Sequence, residues 1–116
     1  MIIRIDPSSP VPLFEQLATA LRSEIIAGRI ADGERLPPAR ELAASLEVNV
    51  HTVLHAYREL RQEGLLDLRR GRGAVVVARE DFGRVGEIVA VLAAEARRLS
   101  LASDTVVALV REELAR

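Results

Sequence analysis

Hydrophobic residues recur at helical spacing along the first 64 residues, and this pattern predicts three helices. The first helix begins at Val11 and ends before Gly28, a residue type that commonly follows a helix end. A turn centred on Asp32-Gly33 and two prolines then precede a short second helix, "PARELAASL". Asn49 suits the N-cap of the third helix, which Gly64 ends. The predicted core positions are Leu13, Phe14, Leu17, Ala18, Leu21, Ile25, Ile26, Leu42, Ala43, Leu46, Val53, Tyr57 and Leu60.

After Gly64 the chain predicts two short strands, "LLDLR" and "AVVVA". Residues 70–73 join them into a hairpin, because glycines at its tip permit positive φ angles. From Asp81 the helical period returns, and Ser103 suits the N-cap of a last helix. These two helices carry aliphatic stripes, Val85, Ile88, Val89, Leu92, Ala96 and Leu99 on one and Val106, Val107, Val110 and Leu114 on the other.

A chain of 116 residues is long enough for one domain with an appendage. We expect a mainly α fold with a small hairpin in residues 1–79, opening with an extended arm, and a two-helix appendage in residues 80–116. The appendage cannot enclose a core alone. Its stripes must therefore be buried against the domain or against a second copy, and a symmetric dimer is the commonest arrangement.

Composition narrows the classes of function. The net charge is about −1, so nucleic-acid binding would require the basic residues, all of them arginine, to gather on one face. The chain has no cysteine, which excludes disulfides, thiolate zinc sites and thiol catalysis. It shows neither a basic leader before an apolar run nor an apolar stretch near 18 residues, and we expect a cytoplasmic protein without membrane contacts.

The stretch "RRGRGAVVV", residues 69–77, gathers three arginines and two glycines at the predicted hairpin tip. A second polar cluster lies on the third helix, where His51, His55, Arg58 and Gln62 form a stripe opposite the core positions. The two histidines also have metal-ligand spacing, but no third ligand is evident and we expect no metal or other cofactor. No phosphate-binding loop or GxSxG motif occurs, so we expect no enzyme.

Three helices followed by a hairpin is the element order of a winged helix-turn-helix. Residues 12–76 resemble the DNA-binding domain of GntR-family bacterial transcription regulators. The resemblance rests on Pro12-Leu13, Gln16, Ile25, Gly28, Gly33, Leu36-Pro37, Arg40-Glu41-Leu42-Ala43, Thr52-Val53, Ala56, Leu60, Glu63-Gly64 and Gly71-Arg72-Gly73.

The pattern of Asn49, Thr52-Val53 and Ala56-Tyr57, with only two C-terminal helices, resembles the YtrA subfamily. The resemblance implies a dimeric repressor with little room for an enclosed effector pocket, so any small-molecule effector stays undefined. The chain departs from its relatives at three positions that bear on the operator sequence. Pro38 stands where many carry serine, Val50 where many carry arginine, and His51 where the subfamily usually has asparagine.

The resemblance also implies which residues contact double-stranded DNA. On the third helix these are Asn49, His51, Thr52 and His55 for bases and nearby phosphates, with Arg58 on the same stripe and Val50 or Leu54 near a thymine methyl. Arg40 would contact phosphate, and Arg72 would enter the minor groove. The wing residues are Arg69, Arg70, Gly71, Arg72 and Gly73. Plainer readings remain open: Asn49 as a cap alone, Arg40 as a solvated charge, and the whole chain as a winged-helix assembly module.

Overall fold

The computed structural model describes residues 3–79 and 81–116. Met1 and Ile2, at the start of the expected arm, and Glu80, the first residue of the expected appendage, lie outside the described residues. The chain divides into two compact units, Met1–Gly83 and Arg84–Arg116. Its elements are α1 Leu13–Ile26, α2 Ala39–Leu46, α3 Val50–Gln62, β1 Leu66–Arg69, β2 Gly73–Val76, α4 Phe82–Arg98 and α5 Ser103–Leu114. The predicted fold class, mainly α with a small hairpin, is confirmed.

The core of the first unit lies where α1 and α2 pack on α3. Leu17 and Leu21 of α1 and Val53 and Leu60 of α3 are all 0% exposed. Burying one such side chain fully stabilises the fold by about 1.5–3 kcal/mol. The predicted positions that are buried are Leu17, Ala18, Leu21, Ile25, Leu42, Ala43, Val53, Tyr57 and Leu60, whereas Leu13, Phe14, Ile26 and Leu46 are half-buried.

Helices α1 and α3 are each followed by a glycine directly after the C-cap residue, as predicted. Gly28 and Gly64 have φ angles of +80° and +81°. After α1, the Gly28 N–H donates to the Ile25 carbonyl at 3.1 Å and the Arg29 N–H donates to the Glu24 carbonyl at 2.9 Å. These bonds satisfy carbonyls that have no partner within the helix, and the end of α3 repeats the pair.

Four helix starts differ from the prediction, and α4 differs by a single residue, beginning at Phe82 rather than Asp81. Helix α1 begins at Leu13 rather than Val11, because Pro12 occupies the N-cap with an extended ψ of 143°. Pro38 is likewise the N-cap of α2 and not its first residue. The prediction for Ser103 is wrong: Ala102 is the N-cap of α5, Ser103 is already helical, and no side chain caps this end.

The hairpin has a partner that the sequence pattern did not predict. Strands β1 and β2 pair antiparallel, with Arg69 opposite Gly73. Strand β1 begins one residue later than predicted, and strand β2 begins one residue earlier. On the other edge of β2, the Leu36 N–H donates to the Ala74 carbonyl at 2.9 Å, and the Val76 N–H donates to the Glu34 carbonyl at 2.8 Å. Residues 34–36 therefore brace the hairpin along its second edge.

The second unit contains almost no fully buried side chain. Within residues 84–116, which the structure describes completely, Ala96 is the only buried side chain. The predicted stripe residues Ile88 and Val89 are 57% and 55% exposed, and Val107 of α5 is 48% exposed. No helix among residues 3–79 and 81–116 is both long and apolar enough to cross a bilayer.

Candidate nucleic-acid interface

A tight turn places α3 directly after α2. Glu47 ends α2 in the left-handed region, with φ 57°, and the Val48 N–H donates to the Ala43 carbonyl at 3.0 Å. Asn49 then caps α3, because its Oδ1 accepts the His51 N–H at 2.8 Å. The predicted N-cap is confirmed, and the cap places no demand on the Nδ2 donors. Helices α2 and α3 thus form a helix-turn-helix.

The face of α3 opposite the core is polar and open to solvent. His51, Arg58 and Gln62 are exposed, and Asn49 at the N-cap is exposed beside them. Thr52 is half-buried on the flank of the helix. The structure therefore brings three of the four predicted stripe residues together on one accessible surface.

His55, the fourth predicted stripe residue, has a different environment. Its ring stacks on that of Phe14 in α1, with centroids 3.7 Å apart and planes inclined by 11°. Its Nε2 lies 3.8 Å from the Glu59 Oε1. One face of the imidazole is therefore covered by the protein, and its role in contacting DNA stays a prediction.

The hairpin tip, which we call the wing tip, consists of residues 69–73. Gly71 and Gly73 have φ angles of +79° and +71°, and the Arg72 N–H donates to the Arg69 carbonyl at 3.0 Å across the turn. Arg69 donates through Nε to the Asp67 Oδ2 at 2.8 Å. Arg70 and Arg72 are exposed and form no ion pair with any carboxylate in the described parts of the chain. The predicted cluster therefore contains one paired guanidinium, Arg69, and two that are available to an anion.

A groove of about 1080 Å³ separates the wing tip from the start of α2 and one flank of α3. Arg70 and Arg72 line it on the wing side, and Leu54 and Tyr57 line it on the α3 side. The Tyr57 hydroxyl donates to the Pro37 carbonyl at 2.7 Å, and burial raises the pKa of Tyr57 well above its ordinary value. Tyr57 is thus a buried neutral donor that holds the start of α2 against α3. Its burial agrees with its predicted core position.

Arg40 lies at the second position of α2 and is exposed, as are the wing arginines. Val50, the other candidate for a thymine methyl, is half-buried like Leu54. Among residues 3–79 and 81–116, the side chains of His, Cys, Asp and Glu form no group of three that could hold a metal ion, so His51 and His55 gain no third ligand.

Two sets of side-chain hydrogen bonds near this surface were not predicted from the sequence. Arg22 of α1 donates through Nε and Nη2 to the two Glu63 carboxylate oxygens at 2.7 Å each, which ties α1 to the end of α3. These hydrogen bonds raise the pKa of Arg22. Gln16 holds the arm: its Oε1 accepts the Asp6 N–H, and its Nε2 donates to the Asp6 and Val11 carbonyls. Gln16 belongs to the family pattern, but its partners are too distant in sequence to be inferred.

Comparison with known proteins identifies the family. The model of "Bacterial regulatory proteins, gntR family" matches residues 13–76. Over 75 residues the chain is 39% identical to the HTH-type transcriptional repressor YtrA of Bacillus subtilis, covering 65% of this chain and 58% of that protein. It is 39% identical over 79 residues to the HTH-type transcriptional regulator Rv1152 of Mycobacterium tuberculosis, covering 68% of this chain and 64% of that protein. The matched segment is thus less than two thirds of each relative.

Solved structures agree with this result. YtrA from Sulfolobus acidocaldarius, a GntR-family transcription factor, superposes with a TM-score of 0.62 at 31% identity, covering 97% of both chains. AraR(DBD) in complex with operator ORX1 superposes with a TM-score of 0.59 at 26% identity, covering 66% of this chain and 99% of that chain. Because the family model covers more than half of the residues and fits the helix-turn-helix and wing described above, the chain belongs to the gntR family of bacterial regulatory proteins.

Proposed function

We propose that the chain is a DNA-binding transcription regulator of the cytoplasm that acts as a homodimeric repressor. Each protomer would place α3 in the major groove, and the two protomers would read half-sites of a roughly palindromic operator about one helical turn apart. Repression follows from occupation of a promoter. The observation that carries the proposal is the exposed polar face of α3 together with the two unpaired arginines of the wing tip.

The side chains divide by their chemistry into readers of bases and contacts to phosphate. His51 and Asn49 lie at the N-terminal end of α3, the end that reaches base edges in helix-turn-helix proteins. Thr52 is the third reader, and it is the least exposed of the three. Arg58, further along α3, and Arg40, in the first turn of α2, would contact phosphates and fix the register of the protein on the duplex.

The wing tip would lie against the sugar-phosphate backbone. Its glycines carry no Cβ, which permits close approach, and Arg72 is the side chain proposed to enter the minor groove. Arg70 supplies a second phosphate contact, whereas the ion pair with Asp67 neutralises part of the charge of Arg69. The likeness to AraR(DBD), whose structure holds an operator, supports DNA as the partner of this surface.

The homodimer is supported by the second unit. Helices α4 and α5 expose aliphatic stripes that a monomer would leave in water, and a second copy is the simplest partner that covers both. The similarity to the B. subtilis protein named a repressor supports repression rather than activation. The proposal includes no cofactor and no defined effector.

Selection of duplexes from a random library tests the proposal, with the purified full chain at low and near-physiological salt. We expect an inverted repeat that survives the higher salt. His51→Ala should recover a motif that is degenerate at one base position of each half-site, whereas Arg29→Ala, which removes a charge paired with Glu24, should recover the wild-type motif. Binding without any motif that vanishes as salt rises would contradict the proposal and favour an assembly module.

A further inference from the structure

We infer that His55 is a positioning residue, whose stack on Phe14 fixes the orientation of the recognition helix α3, and not a reader of bases. The inference rests on the proposed function, since it names how one residue of the DNA-binding surface acts. His55 is the residue for which the distinction matters most. Its side chain is 44% exposed, so it is accessible enough to be mistaken for a direct contact.

The geometry of the stack supports this role. The rings of His55 and Phe14 are nearly parallel, at 11°, and their centroids are 3.7 Å apart, so one face of the imidazole is occupied by α1. Glu59, one turn further along α3, lies 3.8 Å from Nε2. A carboxylate this close to the ring nitrogen opposes the approach of a phosphate.

The stack lies near the middle of α3, and a second directional contact with α1 lies at the C-terminal end of α3. There the Arg22 guanidinium binds both oxygens of Glu63, a geometry that fixes direction as well as distance. Between these two contacts the buried side chains of α1 and α3 include aliphatic ones such as Leu21 and Leu60. The packing of these side chains sets the approximate crossing of the two helices, and the two directional contacts further restrict the rotation of α3 against α1.

The position of the stack connects it to DNA reading. His51 lies four residues before His55 and Thr52 three, so both are one helical turn away. The side chains that read bases must be held within about 0.5 Å of the productive geometry. Loss of the stack would allow the N-terminal end of α3 to rotate, and His51 would then miss its base edge although it is itself unchanged.

The test compares variants that keep and remove the ring. Operator and scrambled duplexes are bound by wild type, His55→Phe, His55→Ala and Phe14→Ala at one salt concentration, with concentrations corrected to the folded fraction. We expect His55→Phe to keep the operator preference within about twofold, and the two alanine variants each to lower it about three- to tenfold. The double alanine variant should lose no more than either single one. Ile30→Val, a core change away from the stack, controls for lost stability.

A second measurement needs no DNA. Residual dipolar couplings of the α3 amides in the free protein report the angle between α3 and α1, which should change in Phe14→Ala and His55→Ala but not in His55→Phe. The inference is overturned if His55→Phe loses preference at one base pair, if Phe14→Ala keeps full preference, or if the couplings do not change. A wild type that selects no operator would instead overturn the proposed function, and the couplings would still decide what His55 positions.

Discussion

Arg72 carries the clearest prediction for a single side chain. It is exposed at the wing tip and forms no ion pair within the described residues, so DNA binding would release one counterion for its contact. Arg72→Ala should weaken binding to operator and scrambled DNA alike. The slope of log affinity against log salt should fall by about one unit. The measurement is a salt titration of both duplexes by fluorescence anisotropy.

Arg29→Ala is the matched control for Arg72→Ala. It removes the same formal charge, but Arg29 follows α1, is paired with Glu24 and lies outside the proposed interface. Its salt slope should equal that of the wild type. An unchanged slope in Arg72→Ala, or an equal loss in both variants, would show that the wing tip contributes only to the overall charge.

Asn49 separates a structural role from a binding role within one residue. Asn49→Ala removes the cap on the His51 N–H and should lower the free energy of unfolding by about 1 kcal/mol. Asn49→Ser keeps a capping oxygen but lacks the amide donors, so stability should stay near wild type while operator affinity falls. Urea denaturation and operator titration measure the two effects. Wild-type affinity in Asn49→Ser would leave Asn49 as a cap alone.

Residue roles were predictable from the sequence where the deciding contact is local. The Asn49 cap spans two residues, and the inward position of Tyr57 follows from helical period. The environment of His55 could not be predicted from the sequence. Periodicity places its ring on the polar stripe, whereas its partner Phe14 lies 41 positions earlier in the chain. The sequence also did not indicate which wing arginine forms an ion pair. Arg69 pairs with Asp67 and Arg72 does not, although both are arginines of the same short segment.

At the scale of elements, the wing depends on the backbone freedom of its glycines. Gly71 has φ +79°, and an added Cβ would meet no other atom within 4 Å, so its substitution costs only the strain of that angle. Gly71→Ala should lower the free energy of unfolding by about 1–2 kcal/mol, and Gly71→Asn by clearly less, because asparagine tolerates left-handed angles. Chemical denaturation measures both. Equal losses would mean that the turn relaxes to a different conformation.

The order of elements followed from the period of apolar positions, which distinguishes helices from strands without any knowledge of distant contacts. The bracing of β2 by residues 34–36 did not, since this segment contains no strand pattern of its own and is ordered by hydrogen bonds to residues 74 and 76. Some helix ends could likewise be predicted from the sequence and others could not. Glycine indicated the ends of α1 and α3, whereas Glu47 and Ser100 take left-handed angles that their residue types do not indicate.

At the scale of the whole molecule, the arginines proposed to contact DNA lie in one unit of a chain that has almost no net charge. The net charge is −1, so the chain as a whole does not attract a polyanion. The proposed contacts Arg40, Arg58, Arg70 and Arg72 all belong to the Met1–Gly83 unit. In the proposed complex, affinity for DNA would therefore depend on the orientation of that unit toward the duplex. Two linked copies would increase it by raising the effective concentration of the second α3 helix.

The homodimer can be tested with the same substitution on two faces of α4. Val89 lies on the aliphatic stripe with Val85 and Leu92, whereas Val91 lies on the face that carries Glu87 and Glu95. Both valines are exposed in the single chain, so Val→Asp should cost each monomer little. In a dimer that buries the stripe, Val89→Asp places a carboxylate in an apolar interface and should raise the dimer dissociation constant at least about tenfold.

Val91→Asp should change that dissociation constant less than about twofold, because its face stays in solvent. Sedimentation equilibrium gives the constants, and the dependence of the melting temperature on protein concentration gives an independent check, since dimerisation stabilises only the folded state. Operator binding should weaken in parallel with Val89→Asp, as the two reading helices then bind separately. The homodimer would be contradicted if the wild type is monomeric at all concentrations, or if the two substitutions have equal effects. The aliphatic stripe would then bind a different protein rather than a second copy.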